Sequence, residues 1–162
     1  MITWFFIATW VLLAAAALYV AFDKLCRKGT SFKFNNYPDV VDVPYITMDI
    51  QGNLLNLVVD SGCGVSLFGS DVFKDREFMY RKTNSSVHLA AITSDNVKSD
   101  LMRIDFNIGK KEVYEDFALC DVNDFGNFER MCGIKVHGIL GSSFFDRYKC
   151  KIDYSKHRLI IP

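Results

Sequence analysis

Between Val43 and Ile50 the side chains alternate, with Ile46, Met48 and Ile50 on one face and Tyr45, Thr47 and Asp49 on the other. That two-residue period is the mark of a half-buried β-strand. Gln51-Gly52-Asn53 supplies a turn, and Leu54 to Val59 reads as a second strand, which makes the pair a hairpin. The same period returns from Leu101 to Ile108, where Met102, Ile104, Phe106 and Ile108 alternate with Arg103, Asp105 and Asn107. Further strands are expected at Val87 to Ile92 and at Val113 to Val122, the latter entered through a Gly109-Lys110 turn. Gly69-Ser70-Asp71 predicts a short helix through Phe78, capped by the Ser70 hydroxyl, and Ser142 to Tyr148 suits a second one. Asn123 to Lys135 lacks periodicity and reads as a loop. The chain closes in a hairpin, Cys150 to Tyr154 and Arg158 to Ile161, joined across Ser155-Lys156-His157. Short strands without β-α-β alternation make the expected class mainly β.

The N-terminal stretch follows a different pattern. Met1 to Phe22 contains no charged side chain, and at about 1.5 Å per helical residue it spans the roughly 30 Å of a bilayer core. One transmembrane helix, residues 1–22, is therefore expected. No Lys or Arg precedes the apolar run as in a signal peptide, and charges begin abruptly at Asp23, unlike a buried helix. Lys24, Arg27, Lys28 and Lys33 all follow the span, so the positive-inside bias places the bulk of this single-pass protein in the cytoplasm. Cys26 reads as a free juxtamembrane thiol. Residues 23–39 are polar and suit a juxtamembrane tether, which leaves 40–162 as the folded domain.

Composition narrows the function classes. In 162 residues, 19 Lys and Arg balance 19 Asp and Glu, so no basic excess points to nucleic acid. The five cysteines are odd in number and share no C-x-x-C spacing, which signals neither a disulfide framework nor a zinc site. Cys120, Cys132 and His137 are not spaced as metal ligands, and no spacing pairs Cys63 with His88 or His137 as nucleophile and base. No metal or cofactor is expected.

Asp60 is the candidate for chemistry. Leu57-Val58-Val59 carries it to the end of a strand, and Ser61, Gly62 and Gly64 stop the strand there. A carboxylate set against apolar residues is costly unless it has a use, and this one invites a functional reading.

Val58-Val59-Asp60-Ser61-Gly62-Cys63, with Ser66 three residues on, resembles the active-site motif of retropepsin-like aspartic proteases, usually Asp-Thr-Gly-Ala or Asp-Ser-Gly-Ala. Ile139-Leu140-Gly141, followed by Ser142-Ser143-Phe144-Phe145 and then Tyr148 to Ile161, resembles the second half of the same fold. The resemblance covers roughly Val43 to Ile161. It implies the single-lobe, dimeric type: a closed, barrel-like sheet with one or two short helices. Hydrolysis of an amide needs one group to activate water and another to supply a proton. The chain holds no second Asp-Ser-Gly or Asp-Thr-Gly, and Asp95, Asp105, Asp121, Asp146 and Asp153 lack the flanking pattern. The resemblance therefore implies a homodimeric endopeptidase, with water activated between Asp60 and its symmetry mate. It gives Ser61 and Gly62 to the support of the loop and makes Ser66 structural. A peptide or protein substrate is expected to lie extended under a flap within Leu89 to Val97, touching Ala90, Ala91 and Ile92. That stretch has no glycine, whereas flaps of the family often carry one, and Cys63 stands where Ala is usual. The alternative is a non-catalytic, membrane-tethered dimerisation or peptide-binding module on the same fold.

Overall fold

A computed structural model describes residues 10–21, 29–34, 43–89, 97–121, 129–130 and 133–162. Its β2–β3 hairpin, Tyr45–Ile50 and Asn53–Val59, forms around a two-residue turn in which Gln51 and Gly52 take φ of 54° and 81°. Two positive φ values match the right-handed twist of the flanking strands. The Asp49 carboxylate closes the turn by accepting the Gly52 N–H at 2.7 Å. Pairing Ile50 with Asn53 fixes the register, which turns Ile46, Met48, Ile50, Leu55, Leu57 and Val59 into the core as the alternation predicts.

Seven strands make the main sheet, in the order β2-β3-β8-β4-β7-β6-β5. Here β4 is Ser66–Gly69, β5 Tyr80–Leu89, β6 Val97–Ile108, β7 Lys111–Cys120 and β8 Gly138–Leu140. The late strand β8 inserts between two early ones, parallel to β3 and antiparallel to β4. Among the described residues the sheet is open, with β2 and β5 at its edges, rather than closed into a barrel. Closure fails at β5. Residues 81–86 of it, RKTNSS, are polar and offer no apolar face to fold back over the core, only Val87 and Leu89 reaching an apolar cluster, and its pairing with β6 shifts register between Lys82 and Ser86.

Three strands form a second sheet, in the order β1-β10-β9: Thr30–Lys33, Arg158–Ile161 and Lys151–Asp153. The β9–β10 hairpin is the closing one read from the sequence. Strand β1 corrects the tether. Phe32 and Phe34 alternate with Ser31 and Lys33, Phe32 pairs with Leu159, and Phe34 is buried in the main core. Residues 30–34 therefore belong to the folded domain.

Helix α1, residues 10–21, carries only uncharged side chains, and Trp10, Leu12, Leu18 and Tyr19 are among its exposed residues. Among the described residues no helix is long and apolar enough to cross a membrane; the rest of the expected 1–22 span lies outside them. Helix α2, Ser70–Asp75, is shorter than expected, and Gly69 rather than Ser70 occupies its cap position, without a side-chain bond. The chain turns extended at Arg76 so that Phe78 can pack on Phe68 and Phe73. Strand β5 starts seven residues before Val87, and the Ile92 and Val122 ends of their expected strands lie outside the described residues. Glu129 and Arg130 are helical within the stretch read as loop. Helix α3, Ser142–Arg147, forms where predicted.

Candidate active site

The strand that carries Asp60 is fixed on both sides before it ends. Val59 N–H donates to the Pro44 carbonyl at 2.8 Å on the hairpin side, and Asp60 N–H to the Leu140 carbonyl at 3.1 Å on the β8 side. The chain then turns sharply, with Cys63 N–H returning to the Asp60 carbonyl. Within that turn Gly62 N–H donates to Asp60 Oδ1 at 2.8 Å. A Cβ on Gly62 would stand 3.1 Å from the same oxygen, so the glycine gives the carboxylate its room. Asp60 is half-buried, while Ser61 and Gly62 are exposed. The acid is thus presented at the surface and not sealed in the core.

The Ile-Leu-Gly block buttresses this turn from behind. Ser142 donates to the Cys63 carbonyl twice, from its N–H at 2.8 Å and its hydroxyl at 3.1 Å. Gly141 N–H donates to Ser66 Oγ at 3.0 Å. Close approach is what demands glycine here, since a Cβ on Gly141 would meet the Val65 carbonyl oxygen at 2.4 Å. Leu140 is fully buried and Ile139 half-buried, on opposite faces of β8. Sequence reasoning thus brings together Asp60, Ser61, Gly62, Ser66, Ile139, Leu140 and Gly141. Ala90, Ala91 and Ile92 lie outside the described residues. Leu89, which leads into them, packs in one apolar cluster with Cys63, Val65 and Ile139.

Cys63 is half-buried, its thiol 3.0 Å from the Val65 carbonyl. Burial first, and the Asp60 charge second, push this thiol above its ordinary value, which leaves a packed thiol rather than a ready nucleophile. His137 is engaged elsewhere: Asn56 N–H lies 3.0 Å from its Nδ1 and the Arg76 guanidinium 3.0 Å from its Nε2. Burial, then the Arg76 and Lys135 cations, hold its pKa down.

A second acid stands behind the loop. Glu115 is fully buried on β7, on the core face between Val113 and Phe117. Its carboxylate accepts the Ser143 hydroxyl at 2.6 Å and forms an ion pair with Arg147. Desolvation dominates and raises its pKa despite these donors. Next to it, Asp116 is gripped by Arg103 at 2.7 and 2.8 Å, which holds its carboxyl below the usual range. The sequence carries a signal for Glu115: the two-residue period of V-Y-E-D-F puts an acid on the apolar face of a strand.

Two solved structures are similar to the chain. The retroviral protease-like domain of Ddi1 from Leishmania major is 18% identical, with 75% of this chain and 90% of that one covered, at a TM-score of 0.48. A retropepsin-like aspartic protease from Rickettsia conorii is 17% identical, with 81% and 86% covered, at a TM-score of 0.43. Both neighbours are retropepsin-like. Likeness of this degree does not carry chemistry across, and the Asp60 turn stands on its own geometry. No family model matches the chain, and no curated protein does.

Proposed function

We propose that the chain is an aspartic endopeptidase that works as a homodimer, anchored to a membrane through residues 1–22. The observation that carries this reading is the Asp60 turn: a carboxylate at the exposed end of a buried strand, aimed by one backbone donor and buttressed by an inserted strand. One such acid cannot both activate water and protonate the leaving amine. Two copies related by a two-fold axis supply the pair, and exposed Ser61 and Gly62 leave the loop open to meet its mate. Two carboxylates brought that close share one proton, the arrangement the aspartic proteases exemplify. The ionised member then takes the proton of the attacking water while the protonated one supplies the substrate oxygen. An extended peptide suits the site, because Val87, Leu89 and Leu101 of the β5–β6 pair pack in one apolar cluster with Cys63 of the turn. The anchor is supported by α1, whose uncharged side chains lie exposed around its whole circumference among the described residues. Anchored copies meet at raised effective concentration.

Full-length protein in detergent is expected to cleave unstructured peptides at mildly acidic pH, and Asp60→Asn to lower that rate about a thousandfold or more, with unfolding midpoint unchanged. Cleavage that survives Asp60→Asn removes Asp60 from the mechanism. A dimer that binds extended peptides without cutting them would assign the chain to a binding module instead.

A further inference from the structure

His137 is pinned on three sides just before β8 begins. Its N–H donates to the Asn56 carbonyl at 2.9 Å, its carbonyl accepts the Gly69 N–H at 3.0 Å, and its Nδ1 accepts the Asn56 N–H at 3.0 Å. A backbone amide can only donate, so Nδ1 is bare and the single proton of the neutral ring sits on Nε2. Turning the ring over about Cβ–Cγ would set a carbon against that amide, so the backbone fixes the tautomer. Opposite Nε2, at 3.0 Å, stands Arg76 Nη2, and a guanidinium has donors and no acceptor. Two donors therefore face each other, and among the described residues the Nε2 proton has no acceptor. His137 is 6% exposed, too enclosed to give that proton freely to solvent.

We infer that this is a binding site for a carboxylate, one oxygen of which accepts from both His137 Nε2 and the Arg76 guanidinium. The imidazole cannot move, so the guanidinium is the partner that gives way. Arg76 is half-buried, and its other anchor is an Nη1 bond to the Leu54 carbonyl at 3.3 Å. Two hydrogen bonds of about 2.8 Å to one oxygen set the two nitrogens roughly 4.5 to 5 Å apart, a shift that a long side chain makes by changing rotamer. Charge selects the class of ligand. The cations that act on the ring are Arg76 and Lys135, and the anion is Asp71, which pairs with the exposed Lys135 at 3.2 Å. One net positive charge suits a monoanion, while the Asp71 carboxylate repels a dianion such as phosphate. Bonds from a guanidinium and an imidazole N–H also favour a charged oxygen over a neutral carbonyl. A free small acid and the C-terminus of a peptide present the same group to these donors. The inference is independent of the protease reading, since none of these side chains belongs to the Asp60 turn.

The test reads the His137 ring nitrogens by NMR in the full-length protein in detergent, at about pH 7.5, where an imidazole is neutral. In buffer free of carboxylates, Nε2 is expected to carry the proton and Nδ1 none, and the opposite tautomer overturns the inference. Sodium acetate added at constant ionic strength is expected to shift Nε2 saturably, with a Kd on the order of 1 to 10 mM. Arg76→Gln is expected to weaken acetate about tenfold or more while the tautomer stays as it was. A shift that does not saturate in wild type, or an unchanged affinity in Arg76→Gln, overturns the site. Phosphate that binds more tightly than acetate overturns the class of ligand. An apolar tripeptide that displaces acetate at lower concentration, while its C-terminal amide does not, assigns the site to peptide ends. A tripeptide no better than acetate assigns it to free small acids. Should Arg76→Gln not fold, the wild-type tautomer and the acetate and phosphate titrations still decide.

Discussion

The turn after β3 and the core face of β7 each hold one carboxylate, and the chain treats the two in opposite ways. Asp60 has one backbone donor, a half-open position and exposed neighbours in Ser61 and Gly62. Glu115 has no exposed surface and takes both a hydroxyl donor, Ser143, and a guanidinium donor, Arg147, from α3. An acid with one donor and access to water is free to take new partners. An acid that is enclosed and saturated fixes whatever is bonded to it. The division of labour between reactive edge and rigid backing is what the inserted strand β8 makes possible, since Leu140 touches the first region through Asp60 and Gly141 opens α3, which supplies the donors of the second.

The sharpest way to break that contrast is to separate the two regions physically. Gly141→Ala places a methyl 2.4 Å from the Val65 oxygen and 2.8 Å from the Cys63 oxygen, both backbone atoms that cannot swing aside. A loss of about 3 kcal/mol in unfolding free energy is expected by denaturant titration, together with loss of any activity. Gly52→Ala is the control. Its φ of 81° strains any other residue, but nothing lies within 4 Å of the added methyl, so a cost of only about 1 kcal/mol is expected. Equal costs at the two glycines would mean that the loop yields to its backing, contrary to the comparison.

Much of this arrangement is legible in the sequence, and what is not has a physical reason. The β2–β3 hairpin, the Asp60 turn and the Ile139-Leu140-Gly141 block are local or carry their own punctuation, and each lies where periodicity and turn residues put it. Strand β1 escapes because its four residues gain an apolar face only by pairing with β10, well over a hundred positions later in the chain. The open edge at β5 is likewise a tertiary outcome: a largely polar strand that pairs with β6 on one side and, among the described residues, has no strand paired on the other. Ser70 misleads for a subtler reason. Cap propensity is a weak prior, and Gly69, held by its N–H to the His137 carbonyl at 3.0 Å, already fixes where the helix begins. Glu115 is visible as an acid out of phase with its strand, but its partners Ser143 and Arg147 come from another element, α3.

A finer probe compares the two adjacent acids of β7 by their opposite pKa directions. Glu115 is raised by burial, so its contribution to stability is fully present below the ordinary glutamate value and is lost as pH rises through the folded one. Asp116 is lowered by the Arg103 hydrogen bonds, so its contribution is present above the ordinary aspartate value and is lost as pH falls through the folded one. Relative to wild type, Glu115→Gln is therefore expected to gain stability as pH rises above about 4.5. Asp116→Asn is expected to lose its disadvantage as pH falls below about 3.8. Thermal unfolding across that range checks both signs, and parallel curves for the two variants would erase the distinction between a buried and a paired acid.

The smallest effect sharpens the comparison at its edge. Strand β4 covers β7 only from Phe117 to Cys120, so the earlier half of β7 has an open side. Tyr148, just past α3, fills it: its hydroxyl accepts the Tyr114 N–H at 2.8 Å and donates to the Tyr114 carbonyl at 2.9 Å, standing in for a missing strand. Tyr148→Phe keeps the ring against Phe144, 4.8 Å between centroids, and removes only those two bonds. A cost of about 1 kcal/mol is expected, since the Tyr114 N–H loses its partner in a half-buried position while its carbonyl keeps the Arg147 guanidinium at 3.4 Å. Because Glu115 follows Tyr114 directly, hydrogen exchange at its own amide should rise with that loss while exchange at Gly62, on the Asp60 side, stays as it was. A rise at Gly62 of the same size would show that the backing and the turn move as one body, and that the rigidity assigned to Glu115 belongs instead to the sheet as a whole.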